Sequence, residues 1–179
     1  MLSAYSRVKL GWCQAKNIKA NGVYTLQPSS STNSRCRVYR INTGFPSKKE
    51  YLLIEARNPM EYDINLPEQG LAIWHVDKNI PYMSPDPSPN SASWPREHGR
   101  VVLLQADGQH HLQTGVYQSN DNDSLGDLFH SGASLEPGNG HPNSDSWSDG
   151  IVRDTGIFIT NIRRLDNGGM EFEFWSDLL

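Results

Sequence analysis

The residues best suited to chemistry are a histidine and two carboxylates in strand-like segments. His75 and Asp77 are two residues apart, so on a strand their side chains project from the same face. Glu55 lies in another strand-like run and could sit on a neighbouring strand. Such a trio could bind a metal ion or hold a proton. The favoured alternative is a buried polar network that fixes strand register, because such a network needs only satisfied hydrogen bonds.

A second group of candidate ligands lies in a segment rich in Asp, Asn, Gly and Ser. Asp121, Asp123 and Asp127 place three carboxylates on one turning loop, and Asp107 could join them. Oxygen ligands on a turning backbone suit calcium, which also relieves the repulsion between the carboxylates. The segment is not an EF-hand, because Leu125 would occupy a ligand position. The spacing predicts a calcium site, with a solvated acidic loop as the alternative.

Two tryptophans lie in the long loops and are candidate binding residues. Trp94 and Trp147 could stack on a sugar or contact a protein partner if they were exposed. The alternative is that they cap the end of a β-sandwich.

The bulk properties and motifs exclude several classes of function. The sequence has no HExxH, GxSxG, P-loop or GxGxxG motif. A formal charge of −4, with no basic stripe, argues against a nucleic-acid partner. No apolar run is long enough to span a membrane. Residues 1–10 do not have the pattern of a secretory signal, so an exported form would carry its signal on a longer precursor.

The elements that must position these residues are mostly short strands. Ser3 to Leu10 predicts a short helix capped by Ser3, and this tail, residues 1–12, precedes a β-rich domain at 13–179. Long loops cover residues 79–99 and 105–152. The pattern predicts an all-β fold, mainly an antiparallel β-sandwich with a short N-terminal helix. The predicted strands are Val23–Leu26, Arg35–Ile41, Tyr51–Ile54, Gly70–Val76, Val101–Leu104, Ile157–Ile159 and Met170–Trp175.

The two cysteines leave two possibilities open. Cys13 and Cys36 could form one disulfide that joins the start of the domain to an early strand, or they could be free thiols. Such a disulfide would contribute on the order of 3 kcal/mol.

Several segments together resemble the M6-type, immune inhibitor A-like metalloproteases. SAYSRVKLGW at Ser3–Trp12 resembles the segment that follows the active site in that family. EYLLIEAR at Glu50–Arg57 and LPEQGLAIWHVD at Leu66–Asp77 resemble two of its strands, and the segment around His75 is the most specific. Further matching segments follow in the family's order at Leu104–Gly108, Gly126–Phe129 and Ser146–Trp147.

This resemblance implies a secreted protein that is stabilised by calcium. Members of the family are zinc endopeptidases, and their zinc is bound by HExxH, which this sequence lacks. No catalytic residue therefore carries over. The resemblance implies a non-catalytic, β-rich half whose partner is a missing catalytic half that holds the zinc. Residues 1–12 would then be the helical tail of that catalytic subdomain. A stand-alone carbohydrate- or protein-binding β-sandwich is the alternative.

Overall fold

The computed structural model describes residues 2–29, 37–82, 87–89, 91–114, 125–138 and 140–179. It contains eight strands, two short helices and two single 3-10 turns. The helices are α1 (Ala4–Lys9) and α2 (His111–Thr114), and the turns are Glu61–Asp63 and Ser148–Gly150. The strands are β1 (Gln14–Asn17), β2 (Gly22–Leu26), β3 (Arg37–Ile41), β4 (Glu50–Arg57), β5 (Gly70–Asp77), β6 (Val101–Leu103), β7 (Ile157–Arg164) and β8 (Met170–Ser176).

The strands form two sheets, which confirms the predicted all-β class. One sheet has five strands in the order β1-β3-β4-β5-β6, and all its pairs are antiparallel except β1 with β3. The other has three antiparallel strands in the order β2-β8-β7. In the described part of the chain, no helix is long and apolar enough to cross a membrane.

The main core lies between the two sheets. Phe172 and Phe174 of β8 belong to the same buried cluster as Leu52 and Ile54 of β4 and Ile73 of β5. The alternation of β8 was predicted from the sequence, and it places Met170, Phe172 and Phe174 in this core while Trp175 is exposed. Shared burial of apolar side chains therefore joins the two sheets.

The five-stranded sheet is buried on both faces at β4 and β5. All eight residues of β4 are buried, as the continuous apolar run in that segment predicts. Register pairs Leu52 with His75 and Glu55 with Ala72. Because side chains alternate, His75 lies on the inner face toward the other sheet, and Glu55 lies on the outer face.

Helix α1 packs on that outer face. Ser3 caps it, as predicted, by accepting a hydrogen bond from the Ser6 amide at 3.3 Å. Ala4 and Tyr5 are buried in a second apolar cluster with Leu53 of β4. A helix of six residues is unstable alone, so these contacts and the polar ones below hold it in place.

The Glu55 carboxylate joins the helix to the sheet. It is fully buried and accepts hydrogen bonds from the Ala4 amide at 2.8 Å and the Trp74 indole at 2.9 Å. It also pairs with the guanidinium groups of Arg7 and, at 3.1 Å, Arg57. Four donors and two positive charges offset the cost of burying this carboxylate.

The predicted strands are all present, with boundaries that differ by a few residues. Strand β1 was missed, because Gln14–Asn17 is polar, lies at a sheet edge and has no apolar alternation. Cys13 is disulfide-bonded, and Cys36, the other cysteine, lies outside the described residues. The disulfide alternative is therefore the one the structure favours.

We expect Glu55→Gln to lower the free energy of unfolding by about 3–5 kcal/mol, because it leaves two buried arginines without their shared carboxylate. Urea unfolding followed by tryptophan fluorescence measures this. Glu171→Gln is the matched control, since Glu171 pairs with Arg163 at the surface and should contribute about 0–1 kcal/mol. Equal effects of the two substitutions would contradict the role assigned to Glu55.

Candidate functional site

The predicted trio of Glu55, His75 and Asp77 does not form. His75 and Asp77 do share the inner face of β5, but Glu55 lies on the opposite face of the sheet and contacts α1. The carboxylate beside His75 is Glu50, at the start of β4, whose Oε1 lies 2.9 Å from His75 Nε2. The prediction was wrong because successive side chains of a strand point to opposite faces of the sheet. A shift of one residue in the strand pairing therefore decides which face a side chain occupies.

Glu50 is the centre of a buried polar network on the inner face. Its carboxylate accepts hydrogen bonds from the hydroxyl groups of Ser146 and Ser148, each at 2.6 Å. The Trp147 amide also donates to it, at 2.7 Å. With the His75 ring, four donors saturate a carboxylate that is fully buried.

The loop that supplies these donors is held against β7. The Ser144 hydroxyl donates to the Ile157 carbonyl at 2.7 Å, and the Thr155 hydroxyl donates to the Ser144 carbonyl at 2.9 Å. Ser146 and Arg153 exchange backbone hydrogen bonds. The network therefore ties β4 and β5 of one sheet to a loop that is anchored on the other sheet.

The pKa values of Glu50, His75 and His98 in the network are shifted in different directions. Burial alone would raise the pKa of Glu50, but hydrogen bonds from His75 and the two serines lower it to about 2. Burial lowers the pKa of His75, so its imidazole is neutral and its Nε2–H donates to the carboxylate. His98 contacts Asp77 at 3.4 Å and the Pro95 carbonyl at 2.7 Å, which outweigh burial and raise the pKa of His98.

The network has the properties of a structural element. Its side chains at Glu50, His75, Asp77 and His98 are at most 1% exposed, so no substrate reaches them. The Trp147 ring stacks on the His75 ring with centroids 3.9 Å apart and covers it. Among the described residues, no group of three or more His, Cys, Asp or Glu side chains could hold a metal ion.

Trp94 and Trp147 are not the exposed contact residues that the binding alternative requires. Trp147 is 3% exposed and belongs to the main core. Trp94 is half-buried against the same core, and its ring meets that of Trp147 at 5.6 Å. Both residues therefore pack on the main core, which favours a structural role for them over a binding role.

The structure describes half of the predicted calcium site. Asp121 and Asp123 lie outside the described residues. Asp107 and Asp127 are neighbours, and burial together with the charges of Asp107 and Glu68 raises the pKa of Asp127 to about 6. Asp107 Oδ1 accepts a hydrogen bond from the Gln109 amide at 2.9 Å. Calcium requires six to eight oxygen ligands, so this site stays a prediction that depends on the undescribed segment.

Sequence reasoning missed Glu50, His98, Ser146 and Ser148. Glu50 shares a face of the sheet with His75 because of the way β4 and β5 are paired. This could be predicted only if the register of the two strands were known. The serines are separated from Glu50 by 96 and 98 residues, and no local pattern predicts that contact.

Comparisons with protein-family models, with curated proteins and with solved structures find no match to this chain.

We expect Glu50→Gln to destabilise the protein by about 3 kcal/mol at pH 7, because an amide cannot accept all four hydrogen bonds. The pKa of Glu50 is about 2 in the folded protein against 4.5 ordinarily. Its contribution is therefore present above pH 4.5 and is lost as the pH falls toward 2. Urea unfolding of both proteins from pH 7 to pH 2 should show their difference shrinking across that range, and a constant difference would contradict the assignment.

Proposed function

We propose that this chain is the non-catalytic, β-rich half of an M6-type zinc metalloprotease, and that it supports the catalytic half. The resemblance of its segments to that family supports the proposal. The buried networks support it as well, because both Glu50 and Glu55 are saturated with structural hydrogen bonds. Each carboxylate connects secondary-structure elements, which suits a supporting role.

The observation that carries the proposal is a set of exposed apolar side chains beside α1 and in two nearby segments, which we call the α1 patch. Its members are large apolar side chains that are each at least 45% exposed: Leu2, Leu10, Trp12, Met60, Tyr62, Ile64 and Tyr82. A group of exposed apolar side chains on neighbouring elements is typical of protein-interaction sites. In the resemblance, α1 is the element that continues from the catalytic subdomain, so the patch lies where the catalytic half would pack.

Polar contacts place two parts of the α1 patch, the Glu61–Asp63 turn and Tyr82, beside the two ends of the helix. Arg57 donates to the Leu2 carbonyl at 2.8 Å and binds the Asp63 carboxylate at 2.9 Å, which keeps the Glu61–Asp63 turn beside the start of α1. The Lys9 ammonium lies 4.1 Å from the centre of the Tyr82 ring, which places that ring beside the end of α1. Glu55 therefore positions the patch indirectly, through Arg7 and Arg57.

Export and calcium binding belong to the same proposal. The disulfide at Cys13 supports export, because such bonds form and persist in oxidising compartments. Calcium would be bound by Asp107, Asp127 and the segment with Asp121 and Asp123. Zinc would be held by the catalytic half alone.

A stand-alone carbohydrate- or protein-binding module has less support. That alternative rested on Trp94 and Trp147, but Trp147 is buried in the core and Trp94 is half-buried against it.

We expect the chain to bind the HExxH-containing half of an M6-type metalloprotease when the two are mixed as separate chains, and to increase its EDTA-sensitive casein hydrolysis. Trp12→Asp and Tyr62→Asp should each weaken binding at least about tenfold, because each places a charge in an apolar interface. Calorimetry measures the binding.

Trp175→Asp is the matched control, since Trp175 is 46% exposed on the other sheet, away from the α1 patch. Its binding should equal that of the unaltered chain. Failure of the unaltered chain to bind, or an equal loss in the Trp175 variant, would contradict the proposed interface.

A further inference from the structure

Basic and tyrosine side chains lie together on the outer face of the five-stranded sheet, beside α1. Register pairs Arg40 with Leu53 and Tyr51 with Val76, and the last three belong to the apolar cluster on which α1 packs. The Arg40 guanidinium lies 3.9 Å from the centre of the Tyr51 ring, and the Lys78 ammonium lies 5.4 Å from it. Two positive groups therefore contact one tyrosine.

The Tyr82 ring carries two further positive groups. The Lys9 ammonium lies 4.1 Å from its centre and the Arg100 guanidinium 4.0 Å from it. Tyr5 joins the two halves, because it shares the apolar cluster with Tyr51 and its hydroxyl lies 3.3 Å from the Tyr82 hydroxyl. We call the four positive side chains the basic cluster: Lys9, Arg40, Lys78 and Arg100.

Backbone contacts hold the two guanidinium groups in place. Arg40 donates to the Lys48 carbonyl at 3.0 Å, and Arg100 donates to the Ile80 carbonyl at 2.7 Å. Contact with the tyrosine rings restricts them further. Because these side chains are already ordered, a partner that binds them loses little side-chain entropy.

The basic cluster has no carboxylate partner within the described ranges. The arginines that form ion pairs there, Arg7, Arg57 and Arg163, lie outside the cluster. Glu50 and Asp77, at the adjoining ends of β4 and β5, contact histidines on the inner face instead. The formal charge of the whole chain is −4, so this excess of positive charge is local. Such a local field attracts negatively charged groups.

The hydroxyl groups in the cluster add donors to those of the basic side chains. The Tyr82 hydroxyl accepts a hydrogen bond from Lys9, and the Tyr5 hydroxyl accepts one from Arg100 at 3.3 Å. One hydroxyl can then donate to the other, which leaves one O–H free. The group therefore has donors in excess and suits a carboxylate, which only accepts hydrogen bonds.

The basic cluster is continuous with the α1 patch. Tyr82 belongs to that patch, and Lys9 lies in α1 between the buried face of the helix and the exposed Leu10 and Trp12. Apolar side chains beside charged ones are typical of protein–protein interfaces, which have an apolar centre and a polar rim. A sulfated polysaccharide would use the charges but not the apolar neighbours, so a protein partner is favoured.

We propose that the basic cluster binds a carboxylate-rich peptide segment, and that the partner covering the α1 patch carries this segment. The second part of this inference rests on the proposed function. Opposite charges on the two surfaces would steer the partner toward the α1 patch and fix its orientation there.

Fluorescence anisotropy of a labelled polyglutamate peptide at pH 7 tests the first part without any catalytic half. The peptide should bind saturably, and at least about tenfold more weakly in about 0.5 M salt than in about 0.02 M salt, because salt screens exposed charges. A neutral glycine–serine peptide of equal length should not bind.

Lys78→Glu and Lys9→Gln should each weaken polyglutamate binding at least about threefold. Arg164→Glu is the matched control, since Arg164 is exposed in β7 of the smaller sheet, and this variant should retain full binding. Lys78 is exposed, so its substitution should leave the melting temperature unchanged.

Tyr82 provides a spectroscopic readout at the site itself. Hydrogen bonds from Lys9 and Tyr5 lower the pKa of Tyr82 to about 8. Bound polyglutamate should raise this pKa, because its carboxylates repel the phenolate. Ultraviolet absorbance titration measures the shift, and Tyr82→Phe identifies the step. A Tyr82 step that polyglutamate does not move would overturn the proposed position of the segment.

Stopped-flow mixing with the HExxH-containing half of an M6-type metalloprotease tests the second part. The association rate constant should fall at least about tenfold between the two salt concentrations, and it should fall in Lys78→Glu but not in Arg164→Glu. A rate constant that neither salt nor Lys78→Glu changes would overturn the assignment of the segment to this partner.

The outcomes separate this inference from the proposed function. Absence of saturable polyglutamate binding would overturn the inference, whether or not the catalytic half binds. Binding of a heparin fragment without binding of polyglutamate would also overturn it and assign the basic cluster to a sulfated polysaccharide. Binding of polyglutamate without association of the catalytic half would support the basic cluster as a site for acidic peptides and contradict the proposed function.

Discussion

A buried carboxylate on the outer face of the larger sheet is the interaction on which the proposed surface depends. Glu55 is buried at the centre of β4, where a lone charge would be strongly destabilising. Arg7 and the Ala4 amide bring α1 to it, and Arg57 extends the same ion pairs to the turn after β4. The exposed apolar residues of the α1 patch flank these elements, so one carboxylate determines the position of the surface that we assign to a partner.

A second buried carboxylate, that of Glu50, joins structural elements on the inner face of the same sheet. Glu50 connects β4 and β5 to the loop at Ser146–Ser148, which is itself anchored on the smaller sheet. Both glutamates lie on the same strand, and their opposite faces follow from strand alternation. Each network leaves its glutamate oxygens occupied by structural donors.

Sequence reasoning predicted the elements of this fold better than the contacts within the site. The alternation of β8 and the apolar runs of β4 and β5 are local patterns, and burial of those residues followed as expected. Pairing of His75 with Glu50 instead of Glu55 depends on register, which is set by contacts along two whole strands. The burial of Trp147 depends on a loop that contacts Glu50 across more than half the length of the chain. Neither contact has a local signature.

The central claim is that this chain supports a protease and does not itself catalyse proteolysis. The most direct test is the metal content of the purified chain by plasma mass spectrometry, measured together with casein hydrolysis in the presence and absence of EDTA. Our account predicts no stoichiometric zinc, no hydrolysis and, if Asp121 and Asp123 complete the predicted loop site, about one equivalent of calcium. Stoichiometric zinc with hydrolysis that EDTA abolishes would contradict the account and make this chain an enzyme.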